Sequence, residues 1–190
     1  VRARVENCEN RTMRIVFAGT PEFAVPSLHA LTRAGKLGDG GLELEIVGVI
    51  TREDAPIGRK RVLTPSPVAQ AAESLGLPIY KANRLDDKAT EWVRELDAEL
   101  GVIVAYGGLV REPLLSLPTL GWVNLHFSDL PAWRGAAPVQ RALMAGEQNL
   151  GVTVFRLVEA LDAGAVLTRD EKEFEPGTSA GEALTELASF

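Results

Sequence analysis

Cysteine is nearly absent from this chain: its 190 residues hold one, Cys8, in a polar N-terminal stretch. A lone thiol excludes a disulfide framework and fits a reducing, cytoplasmic compartment. Histidine is almost as scarce, with His29 and His126 the two present. A zinc site built from His and Cys would lack ligands, so no metal is expected. No apolar run approaches the roughly 20 residues of a membrane span, and no membrane partner is expected. Positive charge is in deficit, 20 Lys and Arg against 26 Asp and Glu, for a net charge of −6. Nucleic-acid-binding domains are usually basic. The dinucleotide fingerprint is missing too: Ala18-Gly19-Thr20-Pro21 follows the first predicted strand with one glycine where G-x-G-x-x-G has three.

What is present reads as one globular unit, 46% hydrophobic and 24% charged, long enough for one well-buried core. Arg14 to Thr20 and Leu44 to Thr51 are apolar, β-branched runs and predict strands. The most uniformly apolar run, Leu100 to Tyr106, predicts a central parallel strand covered on both faces. Leu77 to Tyr80, Gly121 to His126, Val152 to Val158 and Ala165 to Phe174 complete the strand set, the last two as a hairpin-like pair. Helices are expected over Pro21 to Ala34 with Gly35 as its stop, Val68 to Leu75, Asp86 to Leu96, Pro113 to Leu117, Ala136 to Ala145, and from Ser179 onward. Ser66 or Thr64 caps the second of these and Ser179 the last. Alternating strands and helices define an α/β, Rossmann-like, doubly wound and mostly parallel sheet. In such sheets ligands bind at the carboxyl ends of the strands, where strand order reverses. Residues 1–12 read as a polar extension and 13–190 as one domain, which ends in mid-helix and is therefore expected to be a fragment.

Candidate chemistry concentrates near the ends of two strands. Asn124 and His126 are two apart on a strand and so share a face. An amide can donate to a developing oxyanion and an imidazole can move a proton. Spacing alone favours a satisfied core histidine beside a turn asparagine. Asp162 lies in the turn Leu161-Asp162-Ala163-Gly164, where a carboxylate can orient an imidazole or simply cap a turn. Arg52, Arg59, Lys60 and Arg61 make one basic loop on an acidic chain, suited to a phosphate backbone or to solvent. Trp133-Arg134-Gly135-Ala136-Ala137-Pro138 offers a cation and an aromatic face ahead of a helix.

Taken together, these strings are similar to the methionyl-tRNA formyltransferases from Met13 to Phe190. The resemblance is carried by Phe17-Ala18-Gly19-Thr20-Pro21-Glu22-Phe23, Thr64-Pro65-Ser66-Pro67-Val68, Ala105-Tyr106-Gly107, Asn124 through Gln140, Gly151-Val152-Thr153 and Leu161-Asp162-Ala163-Gly164. It implies a Rossmann-like formyltransferase fold, 10-formyltetrahydrofolate as donor, and the α-amine of methionine on initiator tRNA as acceptor. It implies a catalytic trio of Asn124, His126 and Asp162. Folate contacts are implied for Ser128, Asp129, Leu130 and Pro131, with Tyr106 and Gly107 as a wall of the same pocket. Arg59, Lys60 and Arg61 match an insertion used on the acceptor end of tRNA. Family members continue into a C-terminal, tRNA-binding β-barrel that is expected to be absent here, and a monomer is expected. Position 129 is Asp where the family typically has Leu, and a carboxylate beside the donor would weaken folate binding. Formyl transfer to a sugar amine or to glycinamide ribonucleotide, and an inactive folate-binding fragment, stay open as alternatives.

Overall fold

A computed structural model of the chain describes residues 11–34, 36–37 and 42–190. Most of the polar extension, with Cys8, and the expected helix stop at Gly35 lie outside these residues.

The first buried run forms β1 (Thr12–Gly19), and its side chains divide between two cores. Ile15 and Phe17 enter one, Val16 and Ala18 the other, as a two-residue period requires of a strand covered on both faces. A 3-10 turn at Glu22–Ala24 leads into α1 (Val25–Ala34). The short β2 (Lys36–Leu37), which was not expected, lies antiparallel to β3 (Leu42–Thr51). The basic segment is not an open loop. It folds back as β4 (Ala55–Ile57) and β5 (Val62–Thr64), a two-stranded sheet of its own. Next come α2 (Pro67–Ser74), β6 (Ile79–Lys81), α3 (Asp87–Glu95) and β7 (Leu100–Val104). A 3-10 turn at Leu114–Ser116 precedes β8 (Trp122–His126), α4 (Pro138–Met144), β9 (Asn149–Arg156), β10 (Val166–Glu173) and α5 (Ala180–Leu187).

The main sheet has eight strands. Its path runs β10-β9-β8-β7-β1-β3-β2, with β6 also paired to β3. Pairs among β6, β3, β1, β7 and β8 are parallel, and β9 and β10 add an antiparallel edge. Helices α1, α2, α4 and α5 cover one face, and α3 with the 3-10 turn at Leu114 covers the other. From β1 the chain builds outward through β3 and β6, then returns to build through β7 and β8 on the other side. The order therefore reverses between β1 and β7, which meet at Gly19 and Val104.

Two expected boundaries move for a local reason. The central strand stops at Val104, not Tyr106, because Ala105 adopts φ 49° and turns the chain. Helix α4 starts at Pro138, not Ala136, because Ala137 is left-handed at φ 55°. Ser66 caps α2, accepting from the Ala69 N–H at 3.0 Å, and Ser179 closes a capping box with Glu182.

Candidate active site

The strand-order reversal opens a cleft of about 360 Å³ at the carboxyl ends of β7 and β8. That is within the roughly 300–1,000 Å³ of small-molecule sites. Asn124 and His126 line it from β8, Tyr106 and Gly107 from the end of β7, and Ala137 and Pro138 from the start of α4. The structure thus brings the two β8 side chains to one cavity. Asn124 lines this cleft and forms no side-chain hydrogen bond among the described residues.

His126 is buried and its Nε2 lies 3.1 Å from the Trp133 carbonyl oxygen. A carbonyl only accepts, so Nε2 carries the proton and Nδ1 is the nitrogen that gains or loses one. Asp162 Oδ2 stands 4.0 Å from the same Nε2, with both side chains about nine-tenths buried. Its orientation comes from the Gly135 N–H, which donates to Oδ2 at 2.7 Å. His126 and Asp162 are therefore joined through the turn at Trp133–Gly135, not by direct contact alone. The Asp162 loop has its own constraint: a Cβ on Gly164 would sit 1.6 Å from the Arg156 carbonyl oxygen, so only glycine lets the loop close on β9.

Strain gathers here. Six non-glycine residues among those described have positive φ, and Ala105, Trp133, Ala137 and Asp162 are four of them, at 45° to 57°. Each costs about 1–2 kcal/mol, and such residues persist where neighbours over-determine them.

The remaining expected site residues take other positions. Tyr106 reaches the cleft, but its phenol turns into the core and donates to the Ala82 carbonyl at 2.6 Å. Burial pushes that phenol above the usual tyrosine range, so it stays neutral as a donor. Ser128 and Leu130 are buried and Pro131 is exposed, and none of the segment Ser128–Pro131 lines the His126 cleft. Asp129 faces β10, where its Oδ1 accepts from Arg169 Nη1 at 2.9 Å. Arg59, Lys60 and Arg61 occupy the exposed tip of the β4–β5 hairpin. Arg52 separates from them: it donates to the Gly107 carbonyl at the cleft rim.

Three residues without an assigned role emerge. Thr153, fully buried on β9, donates through Oγ1 to the Ser128 carbonyl at 2.7 Å and accepts from the Leu130 N–H at 3.1 Å. One side chain thus replaces two main-chain partners and holds the segment after His126. Gly151, two residues earlier on the same face, lets that segment approach: a Cβ there would lie 2.7 Å from the Asp129 nitrogen. The period-2 pairing of Gly151 with Thr153 was the available signal. Arg141, on α4, donates to the Trp133 carbonyl at 2.9 Å, and no motif pointed to it.

A switch-point cleft lined by an amide and an imidazole, with a carboxylate 4.0 Å from the imidazole, suits acyl transfer, and comparison with known proteins gives the family. Residues 13–189 match the family described as "Formyl transferase", and the chain belongs to that family. Among curated relatives, the methionyl-tRNA formyltransferase of Leifsonia xyli subsp. xyli is 60% identical over 93% of this chain and 55% of its own length. That of Cutibacterium acnes is 50% identical over 93% of this chain and 54% of its own. The chain spans about half the length of the curated relatives it matches. Among solved structures, glycinamide ribonucleotide transformylase 1 from Symbiobacterium toebii superposes with a TM-score of 0.76 at 18% identity, over 98% of this chain and 86% of that one. A formyltetrahydrofolate deformylase from Pseudomonas syringae pv. tomato gives 0.68 at 18%, over 96% and 59%. At these identities the likeness establishes the fold.

Proposed function

We propose that this chain is the catalytic part of an enzyme that moves the formyl group of 10-formyltetrahydrofolate onto the α-amine of methionine carried by initiator tRNA. The observation that carries the reading is that Asn124 and His126 line one cleft, with the Asp162 carboxylate 4.0 Å from the His126 ring, in a chain 60% identical to a named methionyl-tRNA formyltransferase.

The chemistry follows from the groups. The amine attacks the formyl carbon, and the carbonyl electrons move to oxygen as a tetrahedral oxyanion. The Asn124 amide and the cationic form of His126 donate to that oxygen; one such donor contributes about 3–4 kcal/mol in the transition state. The attacking nitrogen loses a proton and the departing N10 gains one, a transfer that the imidazole mediates. Asp162 stabilises the imidazolium and holds its ring. Tyr106 and Gly107 wall the donor, while Ser128, Asp129, Leu130 and Pro131 stand outside that cleft as the chain leaves His126. The hairpin tip with Arg59, Lys60 and Arg61 meets the tRNA backbone. No step calls for a metal. A monomer in the cytoplasm goes with this reading, and the lone cysteine accords with a reducing compartment.

The test is formyl transfer by the purified chain to charged initiator tRNA, beside a sugar nucleotide and glycinamide ribonucleotide as acceptors. His126→Ala is expected to reduce turnover by at least about 10³-fold and Asn124→Ala by about 10²–10³-fold, with unchanged circular dichroism. A His126→Ala variant that keeps its turnover removes the mechanism. Preference for either small acceptor removes the tRNA assignment.

A further inference from the structure

The two side chains that flank the proton in this site are held by main-chain atoms of one turn. The Trp133 carbonyl accepts from His126 Nε2 at 3.1 Å, and the Gly135 N–H donates to Asp162 at 2.7 Å. Trp133 at φ 57°, Gly135 at φ 85° and Ala137 at φ 55° are all left-handed. Two of these carry side chains that disfavour the conformation, so backbone preference does not hold this turn in place. Arg141 supplies the restraint. Its Nη2 donates to the Trp133 carbonyl at 2.9 Å and also to the Arg134 carbonyl. The guanidinium carbon lies 5.8 Å from the centroid of the Trp133 ring. The base of this side chain is fixed, because its helix neighbours Val139 and Ala142 are buried in the core. A planar guanidinium gathers two carbonyls in fixed geometry and can lie against an aromatic ring, whereas an ammonium acts as a single point charge.

We propose that Arg141 is a positioning residue that clamps the Trp133–Gly135 turn and so keeps the His126 Nε2 proton and the Asp162 carboxylate in register with the cleft. The Trp133 carbonyl is the shared element: it serves the ring and the guanidinium at once. Loss of the guanidinium frees a strained turn to relax, and with it go the acceptor that fixes the imidazole tautomer and the donor that aims Asp162. The consequence for rate rests on the formyl-transfer reading. The consequence for the ring does not.

The experiment therefore reads both. With ¹⁵N-labelled histidine the chain shows two imidazoles, His29 and His126, and His29→Gln assigns them. In the wild-type chain the His126 Nε2–H resonance is expected to be visible and slow to exchange. In Arg141→Ala it is expected to exchange at least about tenfold faster, and kcat for formyl transfer to fall about 10- to 100-fold while the donor KM stays within about twofold, as misplacement of a reacting group requires. Arg141→Lys is expected to lie between the two in both readings. Wild-type exchange together with wild-type kcat in Arg141→Ala overturns the proposal. Should Arg141→Ala fail to fold, Arg141→Lys decides: wild-type values there overturn the clamp, and faster exchange with lower kcat upholds it. A wild-type chain that transfers no formyl group defeats the functional reading, while the exchange of the ring proton still decides the role of Arg141.

Discussion

Asp129 shows how a single side chain changes meaning once its partner is known. On sequence it is a carboxylate next to the donor segment, and a carboxylate beside a bound folate would cost affinity through charge and desolvation. In the fold it is directed to Arg169 on β10, with the two side chains 40% and 50% exposed. An exposed pair of this kind contributes at most about 1 kcal/mol. Asp129→Leu is therefore expected to leave the affinity for a folate analogue within about twofold and to lower stability by no more than about 1 kcal/mol, measured by calorimetric titration and urea unfolding. Tighter binding by tenfold or more would show that the carboxylate reaches the donor after all. The candidate site was legible only in part at this scale. Asn124 and His126 could be paired because a strand fixes what residues two apart do. The Trp133–Gly135 turn could not be read, since left-handed alanine and tryptophan carry no sequence signal, and Arg141 depends on that turn.

Among the elements, the parallel strands were the easiest to read, because Ile15–Gly19 of β1 and the central β7 are covered on both faces and read as unbroken apolar runs. Helix starts were readable for the same kind of reason: Ser66 and Ser179 supply acceptors that the first turns lack. The hairpin was not readable. Its strands are three residues each, and Ile57, Val62 and Leu63 are exposed, so no buried face imposes a period. One side chain joins the amino ends of two central strands. Glu99, just before β7, accepts from the Arg11 guanidinium at 2.9 Å and from the Arg14 N–H of β1 at 3.2 Å. These bonds, the guanidinium's first, hold its carboxyl below the ordinary value of 4.5. A lowered folded-state value means that the stabilisation is full above the unfolded value and is lost as pH falls through the folded one. Glu99→Gln is expected to be less stable than the wild type at neutral pH, with the difference shrinking once the pH drops below about 4.5. Urea unfolding across that range checks it, and a difference that grows in acid would contradict the assignment.

The whole molecule is acidic, with a net charge of −6, yet three cations stand together on a projecting hairpin. A generally basic surface would hold tRNA in many orientations; a single positive tip on a repelling body admits few. Replacing Arg59, Lys60 and Arg61 with alanine is expected to weaken tRNA binding at least about tenfold and to flatten its salt dependence by up to about 2 in logarithmic slope, with donor affinity unchanged. Filter binding over a salt series checks this, and an equal loss of donor binding would move the hairpin into the folate site. Fold class was legible at this scale because the alternation of elements leaves few topologies. The meeting of Asp162 with His126 was not, because it depends on β9 running antiparallel to β8 and on Gly164 closing against Arg156.

The strand order has a consequence for a chain that has been cut. Trypsin cleaves after lysine and arginine, and the hairpin tip offers three in a row. A nick there would place β1 and β3 in one fragment and β6 through β10 in the other. In the sheet, however, β3 and β1 lie between β6 and β7. Each piece supplies the neighbours of the other, so the nicked protein is expected to elute from a sizing column as one species and to separate only in denaturant. The two halves could then be made separately and mixed, with recovery of the cleft as the sign that they have found each other.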